Sequence, residues 1–376
     1  MKIVIAPDSF KGSMSSEKAA NSIQKGVLRA FPEAETILLP VGDGGEGTLD
    51  TLVAATQGHK VSVNIKGPLG DMVEAEYGVL GDGETCVIEM AKASGLVLVP
   101  TSRLNPLKAT TYGTGELIKK ALDDGYKSFI LALGGSATND GGAGMLQALG
   151  LNLLDGSGAE IGLGGAELIR VASIDQSNFD SRIAESKFLI ASDVQNPFIG
   201  PDGASNVFGP QKGATPEDVE FLDECLKNFA DVIEKETGVH LHDLPGAGAA
   251  GGIGGAFQAF FPSNMKRGID VVIEYTRLNQ LVEGADLVIT GEGKVDFQTA
   301  SGKTPMGVAQ AASSKNIPTI ILAGSIGHGV EALYQHGVVS VNSIVNRPMS
   351  LTEAMDRACE LTEFTAEQVV RSFFFK

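Results

Sequence analysis

The 376-residue chain is short of cysteine, of basic charge and of long apolar runs. Its three cysteines, Cys86, Cys225 and Cys359, lie far apart and form no C-x-x-C pair. That excludes the spaced thiolates of a structural zinc knuckle and fits a reducing compartment. Lysine and arginine number 29 against 46 aspartates and glutamates, a formal net charge of −17. So acidic a chain is expected to bind neither nucleic acid nor an anionic membrane. A small anion remains open to it, because a few lysines and backbone N–H groups suffice to hold one. No run of about 18 apolar residues occurs, so no spanning helix is expected. The apolar part of MKIVIAPDSF is too short for a secretory leader, and the expected location is the cytoplasm. Histidine is scarce too. Of five, only His240 and His242 stand at a spacing that a metal uses, and in their polar loop they read as solvated side chains rather than ligands.

Glycine is what the chain has in excess, 48 of 376 residues, about 13% where roughly 7% is usual. The glycines are clustered between apolar runs, where they let the backbone approach a ligand or take positive φ. KIVIAP (2–7) reads as a buried parallel strand, 15–31 as a helix with Ala19, Ile23, Val27 and Phe31 on one face, 36–41 as a strand and 48–57 as a helix. This β-α-β-α rhythm opens a doubly wound sheet. KVSVNIKG, MVEAEYGVL and TCVIEM, joined by GPLGD and GDGE, then read as hairpins of an antiparallel or mixed sheet. Strands at 128–133 and 187–193 and a helix from about Pro216 to Glu236 follow. The β-α rhythm returns near residue 285 and runs to a closing helix from about Leu351. The expected fold is α/β: a Rossmann-like, doubly wound domain from both chain ends (1–66 with 287–376), and a mixed-sheet α/β domain (67–286) inserted in it.

Ligands of α/β sheets bind beyond the carboxyl ends of strands, so the segments after each strand carry the candidate chemistry. They are PDSFKGS with Asp8, Ser9 and Lys11; VGDGGEGT with Asp43; GGSATNDGGAGM with Gly134, Gly135, Ser136 and Asp140; Asp193 and the loop after it; and GEGKVDFQTASGKTP with Lys294, Asp296 and Lys303. Two stretches imitate nucleotide motifs. SGKT (301–304) lacks the first glycine of a P-loop, because Phe297 stands there, although Lys303 can reach a phosphate from a helix start. GAGAAG (246–251) has dinucleotide spacing but follows HDLP rather than a strand, and reads as close helix packing. Gly134 to Ser136 can cradle an anion with backbone N–H groups, and Asp140 can hold a metal or a water; the alternative is a tight loop in which Asn139 and Asp140 satisfy turn amides.

APDSFKGSMSS, PVGDGGEGT, LGGSATNDGGAGML, SDVQNPFIGPDGASNVFGPQKGA, GAGAAGG and TGEGKVDFQTASGKTPMGVA, in that order and spanning nearly the whole chain, resemble the bacterial glycerate kinase family of type I. The resemblance implies ATP-dependent phosphorylation of D-glycerate with Mg²⁺, usually to 2-phosphoglycerate. On that reading Asp8, Ser9 and Lys11, near Asp43, hold glycerate. Asp193 or Asp296 accepts the hydroxyl proton. Lys294 and Lys303 stabilise the transferring phosphoryl group, the amides of Gly134, Gly135 and Ser136 hold ATP phosphates, and Asp140 carries Mg²⁺. A homodimer is compatible with the sequence, which has no signal for oligomeric state. The rival readings are a glycerate 3-kinase, a non-catalytic hydroxy-acid sensor, and an NAD-dependent dehydrogenase from the G-x-G-x-x-G at Gly42, Gly44 and Gly47. The last needs an acidic residue ending the next strand, where Lys66 and Gly67 stand.

Overall fold

In the computed structural model, residues 1–42, 44–300 and 302–375 are described. The chain forms two compact units, Met1–Asp43 with Gly268–Lys376, and Gly44–Arg267. The strands in chain order are β1 (Lys2–Ile5), β2 (Glu35–Leu38), β3 (His59–Lys66), β4 (Met72–Val79), β5 (Thr85–Glu89), β6 (Ser128–Ala132), β7 (Asn152–Leu154), β8 (Ser173–Asp175), β9 (Lys187–Ala191), β10 (Ser263–Lys266), β11 (Leu287–Val295), β12 (Thr319–Ile326) and β13 (Val338–Ser343).

The unit made from both chain ends is a parallel sheet in the order β13-β12-β11-β1-β2. The chain steps from β1 to β2 in one direction and from β11 through β12 to β13 in the other. The reversal, between β1 and β11, is the switch point at which such sheets open a crevice beyond their carboxyl ends. One face of the sheet packs Ile3, Ile5, Ile289 and Leu322 against the helices Ser16–Ala30 and Ala358–Phe373. Burial of a side chain such as Ile23 or Val27 stabilises by about 1.5–3 kcal/mol each. Ser15 caps the first of these helices by accepting from the Lys18 N–H at 3.2 Å. The two helices meet at Gly26, where a Cβ would lie 2.2 Å from the Glu363 carbonyl oxygen.

The inserted unit is a mixed sheet in the order β10-β9-β6-β5-β4-β3, with β3, β4 and β5 antiparallel and β5, β6, β9 and β10 parallel. The seams fall at 43/44 and 267/268 rather than at the expected 66/67 and 286/287. Two packing facts move them. The helix Thr48–Thr56 lays Leu49 and Val53 on Gly78 of β4, so it belongs with the β3–β4 hairpin. The helix Gly268–Thr276 presses Ile269 onto Gly307 of the helix Thr304–Ser313, which draws it into the other unit. The long helix Pro216–Thr237 starts with a capping box between Thr215 and Asp218 and stops at Gly238, left-handed at φ 76°.

Candidate active site

In the unit built from both ends, the switch point carries a cavity of about 700 Å³. Its lining includes the polar side chains of Asp8, Ser9, Lys11, Glu292, Lys294 and Lys303. It also includes the apolar side chains of Phe10, Ile344, Met349, Leu351 and Met355. Asp8 follows β1 and is 5% exposed. Its N–H donates to the Gly291 carbonyl at 2.8 Å. Its carboxylate accepts from the Ser9 N–H at 2.6 Å and from the Thr304 hydroxyl at 2.8 Å, which ties the β1 loop to the start of the helix Thr304–Ser313. Lys303 is that helix's N-cap residue, and its ammonium donates to Gln298 Oε1 at 3.3 Å. Lys294 leaves the end of β11 exposed and meets Asp296 Oδ2 at 2.9 Å. Asp296 is 6% exposed and also accepts from the Gln298 N–H at 2.9 Å. The Lys294 hydrogen bond holds its carboxyl below the usual range.

The inserted unit holds Gly134, Gly135, Ser136, Asp140 and Asp193. Beyond β6 the backbone passes so near the VGDGGEGT segment that a Cβ at Gly134 would lie 2.4 Å from Gly45 Cα. Gly135 takes φ +74°, which favours glycine. Among the described residues, none accepts from the N–H groups of Gly134, Gly135 or Ser136. Asp140, expected at a metal, is fully buried. It accepts from the Thr111 N–H and hydroxyl at 2.7 and 2.9 Å and from the N–H groups of Gly142 and Gly144 at 3.2 and 3.3 Å. Four protein donors saturate the carboxylate and give it a loop-forming role. Asp193 is exposed, two residues past the end of β9. Asp43 lies outside the described residues. The structure therefore gathers Asp8, Ser9, Lys11, Lys294 and Lys303 around one cavity, sets Asp296 beside Lys294, and keeps Asp193 and the 134–140 loop in the other unit.

Two buried charges escaped sequence reasoning. Glu89, at the end of β5, is 0% exposed, and its Oε2 accepts from the N–H groups of Gly47 and Leu49 at 3.1 and 3.3 Å. It thus fills the anion seat at the start of the helix Thr48–Thr56, and burial pushes its carboxyl up to about 7. Lys212 is 1% exposed and donates to the Thr138 carbonyl at 2.7 Å; burial pushes it down to about 7. A carboxylate inside the apolar run TCVIEM was the signal for the first. The lysine between two glycines in GPQKGA offered none.

The GAGAAG stretch is a packing device. Ala250, Gly251 and Gly252 take φ of 52°, 73° and 96° and turn the chain into the helix Ile253–Phe260. Phe198, fully buried, lies against Gly252 and Gly255, where a Cβ would be 2.8 and 2.9 Å from its ring.

Comparison with known proteins places this geometry among relatives. The family described as the glycerate kinase family matches residues 3–374. A protein named glycerate kinase from Bacillus subtilis (strain 168) is 52% identical over 372 residues, covering 99% of this chain and 97% of that one. A protein named glycerate 2-kinase from Escherichia coli (strain K12) is 48% identical over 354 residues, covering 94% and 93%. A crystal structure described as glycerate kinase 2 from Salmonella typhimurium LT2 superposes with a TM-score of 0.87 at 47% identity, covering 99% of this chain and 98% of that one.

Proposed function

The chain belongs to the glycerate kinase family, and on that premise we propose how it moves a phosphoryl group from ATP to D-glycerate, giving 2-phosphoglycerate and ADP. The choice of the 2-hydroxyl follows the relative named glycerate 2-kinase. The observation that carries the reading is the switch-point cavity, whose lining combines three lysines with a set of apolar side chains.

A three-carbon acid presents almost no apolar surface, and a cavity of about 700 Å³ is in the range that takes a drug-sized ligand. ATP suits both features. Its purine covers Phe10, Ile344, Met349, Leu351 and Met355, and its phosphates meet Lys11, Lys294 and Lys303. This shifts Asp8, Ser9 and Lys11 from glycerate, where sequence placed them, to the nucleotide. Phosphoryl transfer needs positioning and charge neutralisation. Asp296 aims the Lys294 ammonium, and the first N–H groups of the helix Thr304–Ser313 add positive potential.

Mg²⁺ takes oxygen ligands, usually one or two carboxylates with substrate phosphates. Asp8 and Glu292 line the cavity among the lysines and fit that donor set, whereas the saturated carboxylate of Asp140 does not. The ion would spread the negative charge of the transferring group.

In the other unit, the N–H groups of Gly134, Gly135 and Ser136 suit the glycerate carboxylate rather than the phosphates first assigned to them. Asp193 accepts the hydroxyl proton. Asp296 is the weaker base, because Lys294 and Gln298 already hold its oxygens and stabilise its charge. A cytoplasmic location is consistent with three free cysteines, and no helix among the described residues is long and apolar enough to cross a membrane.

The test is ADP release coupled to D-glycerate with MgATP, followed by phosphorus NMR of the product. 2-Phosphoglycerate is expected. Exclusive 3-phosphoglycerate overturns the regiochemistry, and no turnover overturns the kinase reading.

A further inference from the structure

The last turn of the helix Pro216–Thr237 and the loop after it gather a second set of donors that phosphoryl transfer does not use. We propose that Glu234, His240 and His242 form a binding site for a transition-metal ion, Zn²⁺ in the first instance.

One donor atom from each of the three lies within 4.8 Å of the other two. Glu234 Oε2 is 3.0 Å from His240 Nδ1 and 3.9 Å from His242 Nδ1. A tetrahedral ion with bonds of about 2.0–2.1 Å needs donors roughly 3.3 Å apart, and the two distances bracket that value. The imidazoles stack at 4.4 Å with planes 23° apart. Leu241 between them is fully buried and anchors the loop, while Gly238 fixes its start by donating to the Glu234 carbonyl at 2.8 Å.

An outer contact sets the tautomer of His242. His242 Nε2 faces Asp231 Oδ1 at 2.7 Å, and His240 Nε2 faces Asp243 Oδ1 at 3.6 Å. At His242 the proton sits on Nε2, shared with Asp231, and leaves the Nδ1 lone pair for a ligand; at His240 the 3.0 Å contact places the proton between Nδ1 and Glu234 Oε2, where an ion would take its place. This carboxylate–imidazole arrangement orients metal-binding histidines and raises their basicity. His242 Nδ1 is buried and has no hydrogen-bond partner among the described residues. A buried polar atom left so is costly, and a coordinate bond satisfies it. His240 and Glu234 are about half exposed, which leaves solvent access for entry and for a water as fourth ligand.

Two nitrogens and one oxygen favour a borderline ion over Mg²⁺, which prefers oxygen, so the site is chemically distinct from that of the nucleotide's magnesium. Its reach extends past the loop. The His242 carbonyl accepts from the Ile199 N–H at 3.3 Å, so an ion here would pin the end of the long helix to the segment after β9 that begins near Asp193.

The test titrates Zn²⁺ into the intact, chelator-stripped chain in competition with a chromophoric chelator, with Co²⁺ as a visible-absorption probe. One ion per chain is expected, with a tetrahedral-type Co²⁺ spectrum and no displacement by millimolar Mg²⁺. H240A/H242A should abolish it. D231N, at an exposed position that should not disturb folding, should weaken Zn²⁺ binding by about 10–100-fold. The proposal is overturned if the wild type binds no Zn²⁺, or if either variant keeps wild-type affinity and spectrum, which would put the ion elsewhere, for instance on Cys359.

Discussion

Glu89 offers a measurement in which one buried carboxyl can be isolated. Its side chain is fully enclosed, Oε2 holds the N–H groups of Gly47 and Leu49, and Oε1 has no partner among the described residues. Desolvation, the largest influence, raises its pKa from an ordinary 4.5 to about 7, and the two N–H groups and Lys92 restrain the rise. Between those values the folded chain holds a proton that the unfolded chain has released. The group's contribution to stability is therefore complete below pH 4.5 and is lost as pH rises through about 7. The full span corresponds to about 3 kcal/mol. In Glu89→Gln the amide oxygen still caps the helix Thr48–Thr56 and nothing titrates. Urea unfolding of wild type and variant from pH 4.5 to 8, followed by hydrogen exchange across residues 48–56, gives a difference curve in which the other titrating groups cancel. Wild type should lose about 3 kcal/mol relative to the variant across the window. Parallel curves would refute the argument, because they would mean that Glu89 is solvated or paired in the folded chain.

The remaining expectations concern the base, a buried lysine and a helix crossing. Asp193→Asn should lower kcat by about 10²–10⁴-fold and Asp296→Asn by no more than about ten-fold, with circular dichroism unchanged; equal losses in single-turnover assays would remove the assignment. Lys212, with its pKa lowered from 10.5 to about 7, is protonated in the unfolded chain and neutral in the folded one between those values, so its contribution to stability rises with pH across that window. Lys212→Met should flatten that rise in urea midpoints measured from pH 7 to 10, and a slope left intact would show that the ammonium reaches water. Gly26→Ala should destabilise by about 1–3 kcal/mol, because its methyl would meet the Glu363 carbonyl; a calorimetric midpoint equal to wild type would mean that the two helices separate freely.

Much of this architecture was legible because parallel strands and amphipathic helices have their own periods. KIVIAP read as a buried strand and the β-α rhythm returned near residue 285, and the rule that ligands gather at strand ends led to Asp8, Lys11, Lys294 and Lys303, which share one cavity. What stayed hidden depends on which surface an element meets. The helix Thr48–Thr56 continues the β-α rhythm of the first unit, yet its Leu49 and Val53 fit Gly78 of the second. The carboxylates that meet His240 and His242, Glu234 and Asp231, sit on the preceding helix, where spacing along the chain does not register them. Asp140 read as a ligand because its four donors come from the Thr111 region and its own turn, and only folding brings the first of these near.

The chain carries the dinucleotide spacing G-x-G-x-x-G at 42–47 and again at 246–251, and the inserted unit explains both through one loop. On one flank Gly45 abuts Gly134, whose Cβ would come within 2.4 Å. On the other, a Cβ at Gly251 would lie 2.0 Å from the Thr138 carbonyl oxygen, and one at Gly252 would lie 2.8 Å from Gly141 Cα. Gly141 completes that contact by donating to the Gly251 carbonyl at 3.0 Å. The loop from Gly134 to Gly141 is thus gripped on both flanks by backbone that carries no side chain at the point of contact. Lys212 then holds its Thr138 carbonyl, and Asp140 ties it to the N–H groups of Gly142 and Gly144 that follow. Glycine spacing of this kind reports close approach of two backbones, and a pyrophosphate is only one of the objects a glycine-lined backbone can approach. In this chain the object is another glycine loop. On the proposed reading, a loop so fixed would present the amides of Gly134, Gly135 and Ser136 to an anion without a cost of reordering at the moment of transfer.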